Sequence, residues 1–250
     1  MQRLFHGARC LQRGFSLIRQ PGLRRYALVP ILINIVVYLL LGWLLLTQFS
    51  GWLEQDSFLA GWQDVWLVRV LTSTLQFLLG AGLVLLSLYT FTLFANLIGA
   101  PFNGLLAEKV EAKLRGDIST SDGSLGALLK SVPKALWSEL RKWVYVLLWL
   151  IPIGVLHLIP GLQFIAPLIL ILFGAWVFVL EYLDYPMGNH GFGFAEVRRF
   201  ARQHRLGSLG FGAAAALMTM IPILNLIVMP VAVAGATAFY VDKQDAENVA

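Results

Sequence analysis

The chain predicts an all-α integral membrane protein: an amphipathic N-terminal helix, two long transmembrane helices and two re-entrant helical hairpins. Three observations carry this prediction. Of the 250 residues, 58% are hydrophobic and 13% are charged. A soluble domain carries about 25% charged residues, so this chain lacks the polar surface a soluble globule needs. Its apolar residues fall in runs long enough to cross a bilayer. Its basic residues gather beside those runs, so the formal charge of +5 points to anionic headgroups rather than nucleic acid. Residues 1–250 read as a single membrane domain.

Residues 1–20 form the amphipathic element. Leu4, Ala8, Leu11, Phe15 and Ile18 recur at helical spacing, while Arg9, Arg13 and Arg19 fall elsewhere on the wheel. This predicts an interfacial helix with its arginines toward lipid headgroups. The alternative is a cytosolic helix packed on the rest of the protein. The segment is no cleavable signal peptide, because the apolar run after it is too long and lacks a small-residue cleavage site.

Residues 26–49 and 70–100 are the predicted transmembrane helices. The loop between them, 50–69, holds Glu54, Asp56 and Asp64 but only Arg69 as a cation, and Trp52, Trp62 and Trp66 suit an interfacial belt. Residues 101–142 are basic, and Arg198, Arg199, Arg202 and Arg205 form another cluster. The positive-inside rule places these segments and the N-terminus in the cytosol, and loop 50–69 outside.

The last apolar regions, 143–180 and 206–240, contain an internal repeat. "IPGLQFIAPLILILFGAW" and "IPILNLIVMPVAVAGAT" share Ile-Pro-x-Leu-Gln/Asn, then Ile, Pro and Gly-Ala in order. The arm before each turn is short: 144–159, broken by Pro152, and 211–221, which reaches only about 17 Å as a helix. Each region therefore reads as a hairpin entering and leaving on the cytosolic side. Irregular backbone at membrane depth is tolerated only inside protein or beside a watery cavity, and paired proline-interrupted segments point to a transport site. Complete spans are the alternative for 143–180.

The motif inventory excludes several chemistries. There is no GxxxxGK[ST] stretch, hence no nucleotide-driven pump, and no HExxH or EF-hand pattern. No cofactor is implied. Cys10, the one cysteine, excludes an internal disulfide and any Cys-rich metal site. Polar residues at membrane depth carry the remaining signal. Asn34, Asn96, Asn103 and Asn225 either glue helices together or line a polar path, because a buried amide without a partner is costly. His157, Glu181, Asp184 and His190 are the titratable candidates for proton coupling. Asp184, Asn189 and His190 bunch in "LDYPMGNHG", whereas Glu108–Lys109 and Glu111 with Lys113 and Arg115 read as solvated pairs.

"QPGLRRYALVPILIN", residues 20–34, sets two arginines where the first long apolar run begins. Pro21 suits the first turn of a helix and Gly22 allows close approach to the backbone. Free N–H groups at that end, with the guanidinium groups of Arg24 and Arg25, make a donor-only concavity suited to a tetrahedral oxyanion. A topological anchor explains the same arginines equally directly.

"GLRRYALVPILIN", "APFNGLLAEKVE", "FGAWVFVLEYLDYPMGNHG" and "IPILNLIVMPVAVAGAT" together resemble the CysZ family of bacterial sulfate permeases. The resemblance spans about residues 20–240. It implies sulfate uptake across the inner membrane for cysteine synthesis, by a homo-oligomer of two long membrane helices plus re-entrant hairpins. It also implies an oxyanion site at Gly22, Leu23, Arg24 and Arg25. The partners so implied are the sulfate ion, membrane lipid and further copies of the chain. Two other readings compete with a sulfate transporter. An intramembrane lipid-handling enzyme needs convergent acids or histidines, which only Asp184 and His190 approach. A scaffold subunit needs no substrate.

Overall fold

The computed structural model describes residues 2–53, 66–116 and 125–248, all helices and tight connections. The helices are α1 (Gln2–Ile18), α2 (Arg24–Leu53), α3 (Trp66–Arg115), α4 (Leu125–Leu158), α5 (Ala166–Asn189), α6 (Phe194–Gln203), α7 (Arg205–Thr219) and α8 (Pro222–Asn248). Glu54, Asp56, Trp62 and Asp64, on which the outer loop was argued, lie outside the described residues.

The chain divides into two compact units. One is Leu32–Ala100, the greater part of α2 and α3. At 30 and 50 residues these helices measure about 45 and 75 Å, more than the ~30 Å of a hydrocarbon core. α3 does not end at residue 100: it continues through Pro101 to Arg115 without a break. Leu39, Trp43, Phe77 and Leu85 stand exposed on these helices, as side chains facing lipid would.

The other unit, Met1–Ile31 with Pro101–Ala250, is built around α8. Every residue from Val231 to Val241 is buried, which makes α8 a helix apolar all round and enclosed by others. α1, α5 and α7 pack around it. Glycines let the backbones touch. A methyl group on Gly7 would overlap the Gly207 carbonyl, one on Gly210 the Leu4 carbonyl, and one on Gly212 the Ala175 carbonyl. A methyl on Gly14 would overlap the Val231 carbonyl. Close approach through small residues is the packing mode that serves helices in lipid, where apolar side chains gain little by meeting one another.

This packing corrects the predicted stripe of α1. The buried residues are Gly7, Cys10, Leu11, Gly14 and Leu17, while Leu4 and Phe5 are exposed. Of the predicted stripe, Leu11 is buried and Phe15 and Ile18 pack partly buried against the core, but the closest contact follows the glycines, because they set how closely the backbones meet. α1 is thus packed on α7 and α8 along one side.

α4 and α5 also expose apolar side chains, among them Leu147, Ile151, Leu168 and Ile171. Within them Trp137–Leu158 and Leu162–Asn189 are long and apolar enough to cross a membrane. Pro152 does not break α4, which runs unbroken from Leu125 to Leu158. A bend of residues 159–165, with a short 3-10 turn at Leu162–Phe164, joins it to α5. Gly161, at φ 88°, makes that bend in a left-handed conformation open to glycine at little cost. In the repeated segment Ile223 occupies the place of Gly161. An isoleucine does not adopt that conformation, and there the helix restarts at once, at Pro222. The two halves of the repeat therefore turn differently.

Candidate functional site

The arginine pair lies at the junction of α1 and α2. Gln20, Pro21, Gly22 and Leu23 form the turn, and Gly22 adopts φ 89°. Pro21 is not in the first turn of α2, as its sequence context suggests, because the left-handed Gly22 interrupts the chain and α2 starts at Arg24. The crown of free N–H groups is also smaller than expected. The Leu23 and Arg24 amides donate to the Gln20 carbonyl at 3.2 and 3.3 Å, and those of Tyr26 and Ala27 to the Leu23 carbonyl. Side-chain donors therefore dominate this corner.

Both guanidinium groups are exposed and each is steadied by one hydrogen bond. Arg24 Nε donates to the Arg19 carbonyl at 2.5 Å. Arg25 Nη2 donates to the Tyr26 hydroxyl at 3.0 Å, and its guanidinium lies 4.8 Å from the Tyr26 ring centroid. A guanidinium offers five N–H donors in a fixed fork, so most remain for a ligand. Arg19, over the Phe15 ring at 4.0 Å, adds a third guanidinium at this end of the helix pair. Leu23 is buried and anchors the turn from below.

A polar cluster gathers where α3, α5 and α8 end. Glu111, 8% exposed, accepts from Arg115 Nε at 2.9 Å and meets His190 Nε2 at 2.9 Å. Arg115 also donates to Gln244 at 2.6 Å, and Gln244 to the Tyr240 hydroxyl at 2.6 Å. Asn189 Nδ2 donates to the Gly104 carbonyl at 2.8 Å. Glu111 is therefore no solvated surface carboxylate. It is a buried acid with two partners, found only once the fold brings His190 to it from 79 positions away. One turn of α3 before Ala107, Asn103 is fully buried. Neither of its amide atoms completes a well-aligned hydrogen bond among the described residues; the Tyr185 hydroxyl is its polar neighbour.

The four titratable candidates do not converge. His190 belongs to the Glu111 cluster. Glu181 pairs with Lys142, a lysine whose side chain is 7% exposed and which also meets Glu139 at 2.6 Å. Asp184 lies near enough to Lys142, Glu181 and Glu139 to feel their charge, and so stands apart from His190 despite their proximity in sequence. His157, exposed in the last turn of α4, bonds the Ile153 carbonyl through Nδ1 at 3.0 Å. The asparagines scatter likewise. Asn34 lies on α2 and Asn96 on α3, with side chains outside the described residues. Asn225 is not at the tip of a turn but in the first turn of α8, exposed, its amide bonded to the Ile221 carbonyl at 2.8 Å.

A family described as "Sulfate transporter CysZ/Etoposide-induced protein 2.4" matches residues 10–230. A protein of Pectobacterium atrosepticum named "Sulfate transporter CysZ" is 40% identical over 237 residues, covering 92% of this chain and 82% of its own. A protein of the same name from Pseudomonas aeruginosa is 40% identical over 242 residues, covering 95% of each chain. One from Pseudomonas fluorescens is 39% identical over 243 residues, covering 97% of this chain and 96% of its own.

Proposed function

The chain belongs to the sulfate transporter CysZ/etoposide-induced protein 2.4 family, and from that membership we propose that it is a sulfate permease of the bacterial inner membrane, serving sulfur assimilation and cysteine synthesis. It acts as a transporter rather than an enzyme. The arginine corner supports this reading most directly. Gly22, Leu23, Arg24 and Arg25 form a turn whose two exposed guanidinium groups have uncommitted donors. Sulfate at neutral pH has acceptors and no proton, so a site made only of donors suits it. Hydrogen phosphate also brings a proton that would need an acceptor.

In the membrane, the exposed apolar faces of α2 to α5 meet lipid, and Leu4 and Phe5 of α1 reach toward it. α7, at 15 residues, is about 22 Å long, too short to cross. With the first part of α8 it forms a re-entrant hairpin. α4 and α5 have arms of crossing length. Asn103, buried with its amide atoms poorly paired, is the asparagine best suited to face a conducting path. Copies of the chain assemble as a homo-oligomer.

The test is equilibrium sulfate binding to purified protein and to the Arg24→Ala/Arg25→Ala double variant. A charge-assisted hydrogen bond contributes about 1.5–3 kcal/mol, so losing two weakens binding by about a hundredfold or more. Helical content and elution volume should be unchanged. Wild-type affinity in a folded double variant would refute the anion site. Failure to insert in the membrane would favour the anchor.

A further inference from the structure

We propose that His6, Cys10 and Asp242 form a binding site for a divalent transition-metal ion of the zinc type, which staples α1 to α8. His6 and Cys10 lie one turn apart on α1 and so share a face. Asp242 arrives from α8, 232 positions from Cys10. One ligand atom from each residue lies within 4.8 Å of the others. His6 Nε2 is 3.5 Å from Asp242 Oδ2, and Cys10 Sγ is 3.8 Å from the same oxygen. A tetrahedral zinc ion with bonds of about 2.0 Å to nitrogen and oxygen and about 2.3 Å to sulfur separates its ligand atoms by roughly 3.3–3.6 Å. Cys10 Sγ meets the other ring nitrogen, His6 Nδ1, at 3.7 Å, so a reorientation of the imidazole that moves ligand atoms by about an ångström closes the site.

The surroundings suit a metal in further respects. Arg13 Nη1 holds Asp242 Oδ1 at 2.9 Å, which fixes the carboxylate and leaves Oδ2 facing His6 and Cys10, the role of an outer-shell partner. His6 and Asp242 are half-buried, with side chains 37% and 30% exposed, so an ion has an entry path and a water can fill a fourth position. Thiolate, imidazole and carboxylate together match zinc and similar borderline ions rather than magnesium or calcium. One thiolate and one carboxylate neutralise the dication, which matters beside Arg9, Arg13 and Lys243. Burial, and then the charge of Lys243, hold the His6 pKa below its ordinary value, favouring the neutral ring that ligates. Burial pushes the Cys10 thiol up to about 12, so without metal it keeps its proton. On binding, the S–H bond breaks, a metal–sulfur bond forms, and the proton leaves to solvent.

The experiment uses full-length, tag-free protein in detergent, stripped with chelator and titrated with zinc chloride against a chromophoric competitor. One zinc per chain and release of about one proton in weak buffer are expected. Cys10→Ser and His6→Ala should each weaken binding at least tenfold, while His190→Ala should not. Zinc should raise the melting temperature of the wild type but not of Cys10→Ser. Cobalt replacing zinc in the wild type should give a thiolate-to-cobalt charge-transfer band, a readout that requires no variant to fold. Absence of that band, or zinc affinity unchanged by both substitutions on α1, would overturn the site.

Discussion

Gly22 is the residue on which the arginine corner turns. Its φ of 89° lies in the left-handed region, and a methyl there would meet nothing within 4 Å. Substitution is therefore opposed by backbone conformation and not by crowding. Gly22→Ala is expected to destabilise by about 1 kcal/mol or to shift the turn, and Gly22→Val by more. Gly22→Asn should suffer least, since Asn tolerates this conformation. Melting temperature and sulfate affinity should fall from Gly22→Asn through Gly22→Ala to Gly22→Val; equal values would show that the turn does not set the arginines. The four residues of this corner are legible in sequence because they are contiguous and mark the edge of an apolar run. Glu111 is not, since its neighbours Lys113 and Arg115 suggest a solvated face. Only the packing of α5 against α3 brings His190 to it. The His6–Cys10–Asp242 group escapes sequence reading for the same reason.

At the scale of elements, small residues and buried charge hold the helices together. Gly7 and Gly14 place α1 against the backbones of α7 and α8. Gly7→Leu is expected to displace α1, because overpacking a close contact costs about 1–3 kcal/mol and here the obstruction is backbone. Gly154→Ala, where a methyl meets nothing, serves as control and should be neutral or gain up to about 1 kcal/mol from helix propensity. Limited proteolysis within α1 separates the outcomes: only Gly7→Leu should speed cleavage. α4 and α5 are joined instead through Lys142, buried between Glu139 and Glu181. Either Glu→Gln change alone leaves Lys142 one carboxylate and should be mild. Both together leave the buried cation no carboxylate partner but nearby Asp184, a loss of up to about 3–5 kcal/mol. Additive melting shifts would contradict a shared lysine. Apolar run length and periodicity make the helices themselves legible. Their turns are less so. Pro152 signals a break that continuous α4 does not make, and the matched prolines of the repeat conceal the one difference that matters, Gly161 against Ile223.

At the scale of the whole molecule, the proposed transport faces an electrical problem that the chain must solve or leave to the cell. Moving one charge through 100 mV involves about 2.3 kcal/mol. A sulfate dianion entering a negative-inside cell therefore works against about 4.6 kcal/mol, on the order of a thousandfold against accumulation. No phosphate-binding loop in the sequence offers nucleotide energy. Co-entry of two protons cancels the electrical term, and more protons add drive. The titratable groups do not form one relay: His190 is committed to Glu111, Glu181 to Lys142, and His157 to a backbone carbonyl. Asp184, close to Lys142 and in no ion pair among the described residues, is the fourth candidate. The expected outcomes are two: proton-coupled uptake, for which Asp184 is the residue to test first, or uptake that depends on rapid sulfate consumption inside. Sealed liposomes with the membrane potential clamped at zero and an inward proton gradient should accumulate sulfate above equilibrium. Asp184→Asn should abolish that accumulation while preserving sulfate binding at Arg24 and Arg25. If wild-type vesicles merely equilibrate sulfate under the same gradient, the protein is a passive conduit, and consumption of sulfate in the cytosol supplies the direction.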